Sequence, residues 1–146
     1  MGNSIKNNLK EIKVSSKTEN LSKIRDFVGA NASTAGVSQS TVENIVLAVD
    51  EACTNIIKHA YKSSPDGEII IQIEYDESRL TITIIDYGKS FEPERIPQPD
   101  LRKYYNERKV GGLGMYLMKS LMDDVKYTSI PGKYNQVLLS KNLRGS

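Results

Sequence analysis

Ser40-Thr-Val-Glu-Asn-Ile-Val-Leu-Ala-Val-Asp-Glu-Ala-Cys-Thr-Asn-Ile-Ile-Lys-His-Ala-Tyr61 is the stretch on which the fold turns. Val42, Ile45, Val46, Val49, Cys53, Ile56, Ile57 and Ala60 recur at helical spacing and make one unbroken apolar face. Ser40-Thr-Val-Glu43 has the form of a capping box and predicts the start of this helix. An apolar face that long needs a broad surface to cover it. On the same helix Glu51 and Asn55 lie one turn apart, and at ~100° per residue they point nearly opposite the apolar stripe.

The covering surface is a sheet. After the turn Ser63-Ser-Pro-Asp-Gly67, Ile69, Ile71, Ile73 and Tyr75 take alternate positions, with Ile70, Gln72 and Glu74 on the other face. A tight connection at 76–78 leads to Leu80, Ile82 and Ile84, alternating with Thr81, Thr83 and Ile85, so the two runs predict an antiparallel hairpin that stops at Asp86. Upstream, Leu9 to Val14 predicts an edge strand. Ser16-Lys-Thr-Glu19 reads as another capping box, opening a helix with Leu21, Ile24, Phe27 and Val28 on its buried stripe before Gly29 to Gly36 loosens it into a turn. Downstream, three prolines (Pro93, Pro97, Pro99) and Arg102-Lys-Tyr-Tyr-Asn-Glu-Arg-Lys109 make 91–110 too long and too polar for a plain connector, and it reads as a lid with one short helix. Leu113 to Met122 predicts a helix, and Val125 to Ser129 with Gln136 to Ser140 predict two strands joined at Pro131-Gly132. Hairpins in place of strict strand and helix alternation give an α+β class: a two-layer sandwich whose mostly antiparallel sheet carries its helices on one face.

With 146 residues the chain is expected to be a single domain, 1–146, able to bury about 70% of the surface its unfolded form exposes. Twenty basic and 18 acidic residues leave a net charge of +2, so charge calls for neither a nucleic acid nor a membrane surface as partner. The one cysteine, Cys53, has no partner for an internal disulfide and falls on the apolar stripe, a core position. No apolar run approaches the ~20 residues of a membrane span, nor is there a signal-peptide layout, and a cytoplasmic setting is expected.

Three short segments carry chemistry. Taken alone, Glu51 and Asn55 describe a solvated helix face, but Ala48 and Ala52 beside them predict room for a ligand, and asparagine is a mediocre helix former that propensity would not select. A neutral amide oxygen suits Mg²⁺ bridged to phosphates, because that ion keeps several waters and takes few protein ligands. A carboxylate one turn earlier can accept a proton from an attacking hydroxyl or water. Asp86 closes a strand and Gly88 follows two residues on; by itself this is an ordinary turn, yet a buried carboxylate there can accept from the exocyclic amine of adenine, with glycine letting the ring approach the backbone. Gly111-Gly-Leu-Gly114 directly precedes an apolar helix, where free amides and the helix dipole make an anion site, though isolated glycines also serve as a hinge. No Gly-Lys-Ser/Thr follows, so this is not a Walker loop. His59, the one histidine, reads as a structural residue near the site mouth.

In this order the three segments resemble the N box and the two glycine boxes of the ATPase superfamily that includes gyrase B, histidine kinases, MutL and the heat-shock chaperone ATPases. Asp86-Tyr-Gly-Lys-Ser-Phe-Glu-Pro93, Gly111-Gly-Leu-Gly-Met-Tyr-Leu117 and Leu121-Met-Asp-Asp-Val125 resemble more closely the stand-alone anti-sigma factor serine/threonine kinases of bacterial partner-switching systems. That likeness runs from the first helix to the last strand and is poorest in the lid. It implies a Bergerat-type ATP-binding fold, ATP and Mg²⁺ as cofactors, Asn55 as metal ligand and Glu51 as general base. It further implies Asp86 and Gly88 at the adenine, Gly112, Leu113 and Gly114 at the phosphates, and a lid that closes over ATP. Arg108 and Lys109 are the candidates for a lid cation at the γ-phosphate, with Arg102 and Lys103 in reserve and four merely solvated charges as the plain alternative. Asn135 matches a position that lines the adenine pocket. Ser90 departs from the superfamily pattern, where many members have a second glycine, in a way the switch-kinase branch often does. Tyr104 and Tyr105 fit lid contacts and partner contacts equally.

The resemblance implies as partners an anti-anti-sigma protein of the STAS type as phosphorylation substrate, a sigma factor held in sequestration, and a second copy in a homodimer. A reading from a different class is a nucleotide-binding or degenerate module that sequesters its partner without transferring phosphate. Glu51 separates the two, since its loss abolishes transfer and spares sequestration. An ATP-driven clamp like that of the larger relatives ranks last, because the appended domains that would use it are missing.

Overall fold

The computed structural model describes residues 9–90 and 114–143. In chain order these form β1 (Lys10–Ser15), a 3₁₀ turn (Thr18–Asn20), α1 (Leu21–Ser33) and α2 (Gln39–Asn55), which runs on into a single π-turn (Ile56–Ala60). The hairpin β2 (Glu68–Tyr75) and β3 (Arg79–Asp86) follows, then α3 (Gly114–Leu121) and the hairpin β4 (Asp124–Ile130) and β5 (Tyr134–Asn142). All five strands join one antiparallel sheet in the order β1-β2-β3-β5-β4. The α+β sandwich expected from the periodicities is the architecture observed.

Register explains the core. Ile71 pairs with Ile84 and Ile84 with Val137, while Ile73 pairs with Ile82 and Ile82 with Leu139, so directly opposed side chains build a continuous aliphatic face across three strands. Onto it pack Ile45, Val49, Cys53 and Ile56 of the long helix, Ile24 and Val28 of α1, and Met118 and Met122. Each fully buried aliphatic side chain contributes about 1.5–3 kcal/mol of transfer free energy. The β4–β5 turn closes through Gly132, whose φ of 76° lies where a side chain would be strained.

Three local expectations are corrected. Ala48 and Ala52 are 0% and 2% exposed and belong to the core, because α2 is the middle helix, packed on α1 at one side and α3 at the other. They make no room for a ligand. The cap of α2 is Ser38, whose Oγ accepts from Thr41 N at 3.2 Å, so the capping box at Ser40 is displaced by two residues. Ser16 does not cap α1 either. It is 1% exposed, and its Oγ donates to Ser64 O at 2.5 Å and accepts from Gly67 N at 2.9 Å, clamping the turn that enters β2. The lid at 91–110, with Arg102, Lys103, Tyr104, Tyr105, Arg108 and Lys109, lies outside the described residues, as do Gly111, Gly112 and Leu113.

Candidate active site

Strand register sets the first part of the site. Asp86 of β3 stands opposite Asn135 of β5, which stands opposite Ser129 of β4, so three polar side chains line up across the end of the sheet. Asp86 is 0% exposed, and its Oδ1 accepts from Gly88 N and from Asn135 Nδ2, both at 2.9 Å. Asn135 Nδ2 also donates to Gly88 O at 3.0 Å. The hydroxyls of Ser90 and Ser129 lie 2.6 Å apart and reach Asn135 Oδ1 at 3.1 and 2.7 Å, so both amide ends are engaged and the side chain is locked. Ser90 therefore belongs to the network that orients Asp86. Burial pushes the Asp86 carboxyl above the usual aspartate range, against the lowering effect of the bonds from Asn135 and Gly88.

The second part comes from the end of the long helix. The π-turn after Asn55 closes with Tyr61 N donating to Ile56 O at 3.0 Å and brings Ala60 against the loop after β3, where Ala60 O accepts from Lys89 N at 2.7 Å. A Cβ at Gly88 would lie 2.6 Å from Ala60 O and 2.8 Å from Ala60 Cβ. Gly88 is thus required by its close approach to Ala60, a reason the sequence alone does not supply. The turn ties the helix that carries Glu51 and Asn55 directly to the loop that carries Asp86.

Glu51 and Asn55 share one side of α2, one turn apart, as the spacing predicts. Asn55 is 4% exposed and Glu51 half-buried, so neither sits on the solvated face that their spacing alone suggests. Burial first, and then the neighbouring Asp50 carboxylate, raise the Glu51 pKa above the ordinary glutamate value, while Lys58 pulls it back. Three site atoms are buried without a hydrogen-bond partner among the described residues: Glu51 Oε2, Asn55 Nδ2 and Asp86 Oδ2. Leaving such a group unpaired costs about 1–3 kcal/mol, and folds retain that cost where a ligand meets it. An open, fixed carboxylate oxygen fits an amino group, an open amide N–H on the long helix fits a phosphate oxygen, and a carboxylate of raised pKa fits proton transfer. The set therefore suits a nucleotide.

Of the residues singled out from sequence, Asp86, Gly88 and Asn135 are joined by direct hydrogen bonds, and Glu51 and Asn55 sit on the helix whose following π-turn is tied to that loop through Ala60. Gly114 is the first residue of α3, which packs on α2. Ser90, Ser129 and Tyr61 were missed; hydroxyls at strand ends and loops leave no periodic trace.

A family model described as histidine kinase-like ATPase domain matches residues 14–141. The chain is 37% identical over 140 residues to the protein named Serine-protein kinase RsbW of Bacillus subtilis (strain 168), covering 92% of this chain and 86% of that one. It is 37% identical over 119 residues to the protein of the same name from Listeria monocytogenes serovar 1/2a, covering 79% and 76% of the two. Among solved structures, the RsbU and RsbW domains of Rv1364c from Mycobacterium tuberculosis superpose with a TM-score of 0.67 at 15% identity, over 94% of this chain and 33% of that one. That last likeness concerns the fold.

Proposed function

The chain belongs to the histidine kinase-like ATPase family, among relatives named serine-protein kinases, and from that membership we propose that it transfers the γ-phosphoryl group of ATP to a serine or threonine hydroxyl of a partner protein. The observation that carries the reading is the pair on α2: Glu51 Oε2 and Asn55 Nδ2, one turn apart, both buried and both open.

Each residue has a task in this reading. Asp86 Oδ2 accepts from the adenine amine while Asn135 and Gly88 hold Oδ1 still. Asn55 would hold Mg²⁺ through its amide oxygen, an ion that takes few protein ligands and completes its shell with waters and phosphates. When bound, Mg²⁺ supplies charge neutralisation at the phosphates. Glu51, its pKa raised by burial, accepts the proton of the attacking hydroxyl. Gly112, Leu113 and Gly114 receive the phosphates, and Arg108 or Lys109 answers the γ-phosphate.

The partner set is part of the proposal: an anti-anti-sigma protein as substrate, a sigma factor sequestered, and a second copy of the chain. We take residues 1–146 as one domain working in the cytoplasm, where ATP is. Calorimetric titration of Mg-ATP, with ADP as control, tests the site: Asn55→Ala should weaken binding at least about tenfold, ~1.4 kcal/mol. Phosphate transfer to a purified anti-anti-sigma protein tests the activity, and a Glu51→Ala protein that transfers at the native rate removes Glu51 as base. No binding heat at all would leave a scaffold that works by sequestration alone.

A further inference from the structure

The sheet ends at Asp86 for a specific reason. Ile69 with Asp86 is the last pair of the β2–β3 ladder, and the next in register would be Glu68 with Tyr87. The Tyr61 hydroxyl stands between those two residues. It donates to Glu68 O at 2.6 Å and accepts from Glu68 N at 3.2 Å and from Tyr87 N at 2.8 Å. One O–H and two lone pairs are all used. From the other side Ala60 O takes the N–H of Lys89 at 2.7 Å, so consecutive residues 60 and 61 grip the backbone on both sides of Gly88.

The ring is placed at some cost. Directly after it Lys62 and Ser63 adopt left-handed conformations, φ 51° and 67°, with Ser63 N donating to Ile57 O at 2.7 Å. Two such non-glycine residues cost roughly 1–2 kcal/mol each. The ring also lies where a Cβ on Gly67 would come within 2.3 Å of it. Burial raises the Tyr61 pKa, the bond from Tyr87 N–H opposes that rise, and the Asp86 charge adds to it.

We infer that Tyr61 is a positioning residue for nucleobase recognition: through the Tyr87 amide its hydroxyl fixes the 86–88 segment, so that Asp86 Oδ2 is presented as a fixed acceptor to the amino group of an adenine nucleotide. This rests on the nucleotide reading of the site. Gly88 N orients Asp86 Oδ1, and the peptide that carries it begins at Tyr87. Freeing the Tyr87 N–H frees that peptide to turn. An acceptor distinguishes an amine from a carbonyl only while its position is fixed, because a mobile carboxylate can draw away from the carbonyl oxygen it should reject.

The test uses the full-length protein, Tyr61→Phe, and calorimetric titration with Mg-ATP and Mg-ITP, which carries a carbonyl where adenine carries its amine. Tyr61→Phe keeps the ring over Gly67 and removes the hydroxyl. The wild-type preference for ATP over ITP should fall about five- to tenfold in the variant, the loss lying mostly in ATP affinity. Ser16→Ala, which cuts hydrogen bonds to the same 64–67 turn without touching Tyr87, should leave the ratio unchanged. An unchanged ratio in Tyr61→Phe, or an equal fall in Ser16→Ala, overturns the inference and leaves the nucleotide site standing. A wild type that binds no ATP removes the proposed function and this inference together. If the variant does not fold, amide exchange of the wild type decides: Tyr87 N–H should be protected without nucleotide, and rapid exchange there overturns the inference.

Discussion

Asn135 reaches across from β5 to the directly opposed Asp86 of β3 and donates to its Oδ1 at 2.9 Å, which fixes one carboxylate oxygen and leaves Oδ2 buried and open. Register, burial and one amide thus turn a strand end into a directional acceptor. Ser90 and Ser129 hold the other end of the amide, so the orientation of Asp86 depends on residues from two further segments.

Asn135→Ala removes that amide. Asp86 Oδ1 is left with Gly88 N alone, and the two serine hydroxyls lose their shared acceptor. ATP affinity should fall about tenfold and stability by ~1–3 kcal/mol, read by calorimetry and by urea unfolding. Unaltered ATP binding would separate Asn135 from the nucleotide.

The raised pKa of Glu51 has opposite consequences for rate and stability. Base catalysis needs the carboxylate, so kcat/KM should rise with pH through that raised value. Asp50→Asn removes a charge that raises the pKa and should move this acid limb to lower pH; Lys58→Met removes the charge that lowers it and should move the limb up. For stability, a group whose folded pKa lies above its unfolded one contributes fully below the unfolded pKa and loses that contribution as pH rises through the folded one. Glu51→Gln should therefore be at least as stable as wild type at neutral pH while its transfer rate drops by about 10²–10⁴. A pH profile identical in wild type, Asp50→Asn and Lys58→Met would contradict this account.

Gly88→Ala drives a Cβ to within 2.6 Å of the Ala60 carbonyl oxygen, which is backbone and cannot swing aside. Either the π-turn or the loop after β3 must move, at roughly 1–3 kcal/mol. Because Gly88 N orients Asp86, ATP binding should weaken with stability, and a thermal melt beside a titration reads both. Full nucleotide affinity in a protein of lowered melting temperature would mean the π-turn yields and the loop does not.

The fold was legible where one period dominates. The apolar stripe of α2 and the alternating isoleucines of β2 and β3 are each long enough that a single geometry satisfies them; β2 and β3 match their predicted bounds closely, whereas α2 reaches its expected end only through the π-turn that follows Asn55. Local polar chemistry was less legible. Ser16 and Ser40 both carry capping-box spacing, yet Ser16 is taken by a turn 48 residues away and Ser38 captures the cap of α2. Ala48 and Ala52 misled because a helix flanked on two sides buries more than one stripe. Glu51, Asn55, Asp86 and Gly88 stood out as candidates by residue type and context, and Asn135 only through the family resemblance. The hydroxyls that brace them were not, because Tyr61, Ser90 and Ser129 act through long-range hydrogen bonds that no spacing encodes.

Ser16 separates the fold from the site. Its hydroxyl is saturated by Ser64 O and Gly67 N, and its own N–H donates to Gly67 O at 2.9 Å, so one buried residue stitches the end of β1 to the turn before β2. Ser16→Ala leaves the Ser64 carbonyl and the Gly67 N–H to find water at a part-buried place, and should cost ~1–3 kcal/mol in urea unfolding. None of these atoms touches Glu51, Asn55, Asp86 or Asn135, so ATP affinity below the unfolding transition should match wild type. A loss of less than about 0.5 kcal/mol would show that water replaces the hydroxyl without penalty and that the turn holds through its backbone bond alone.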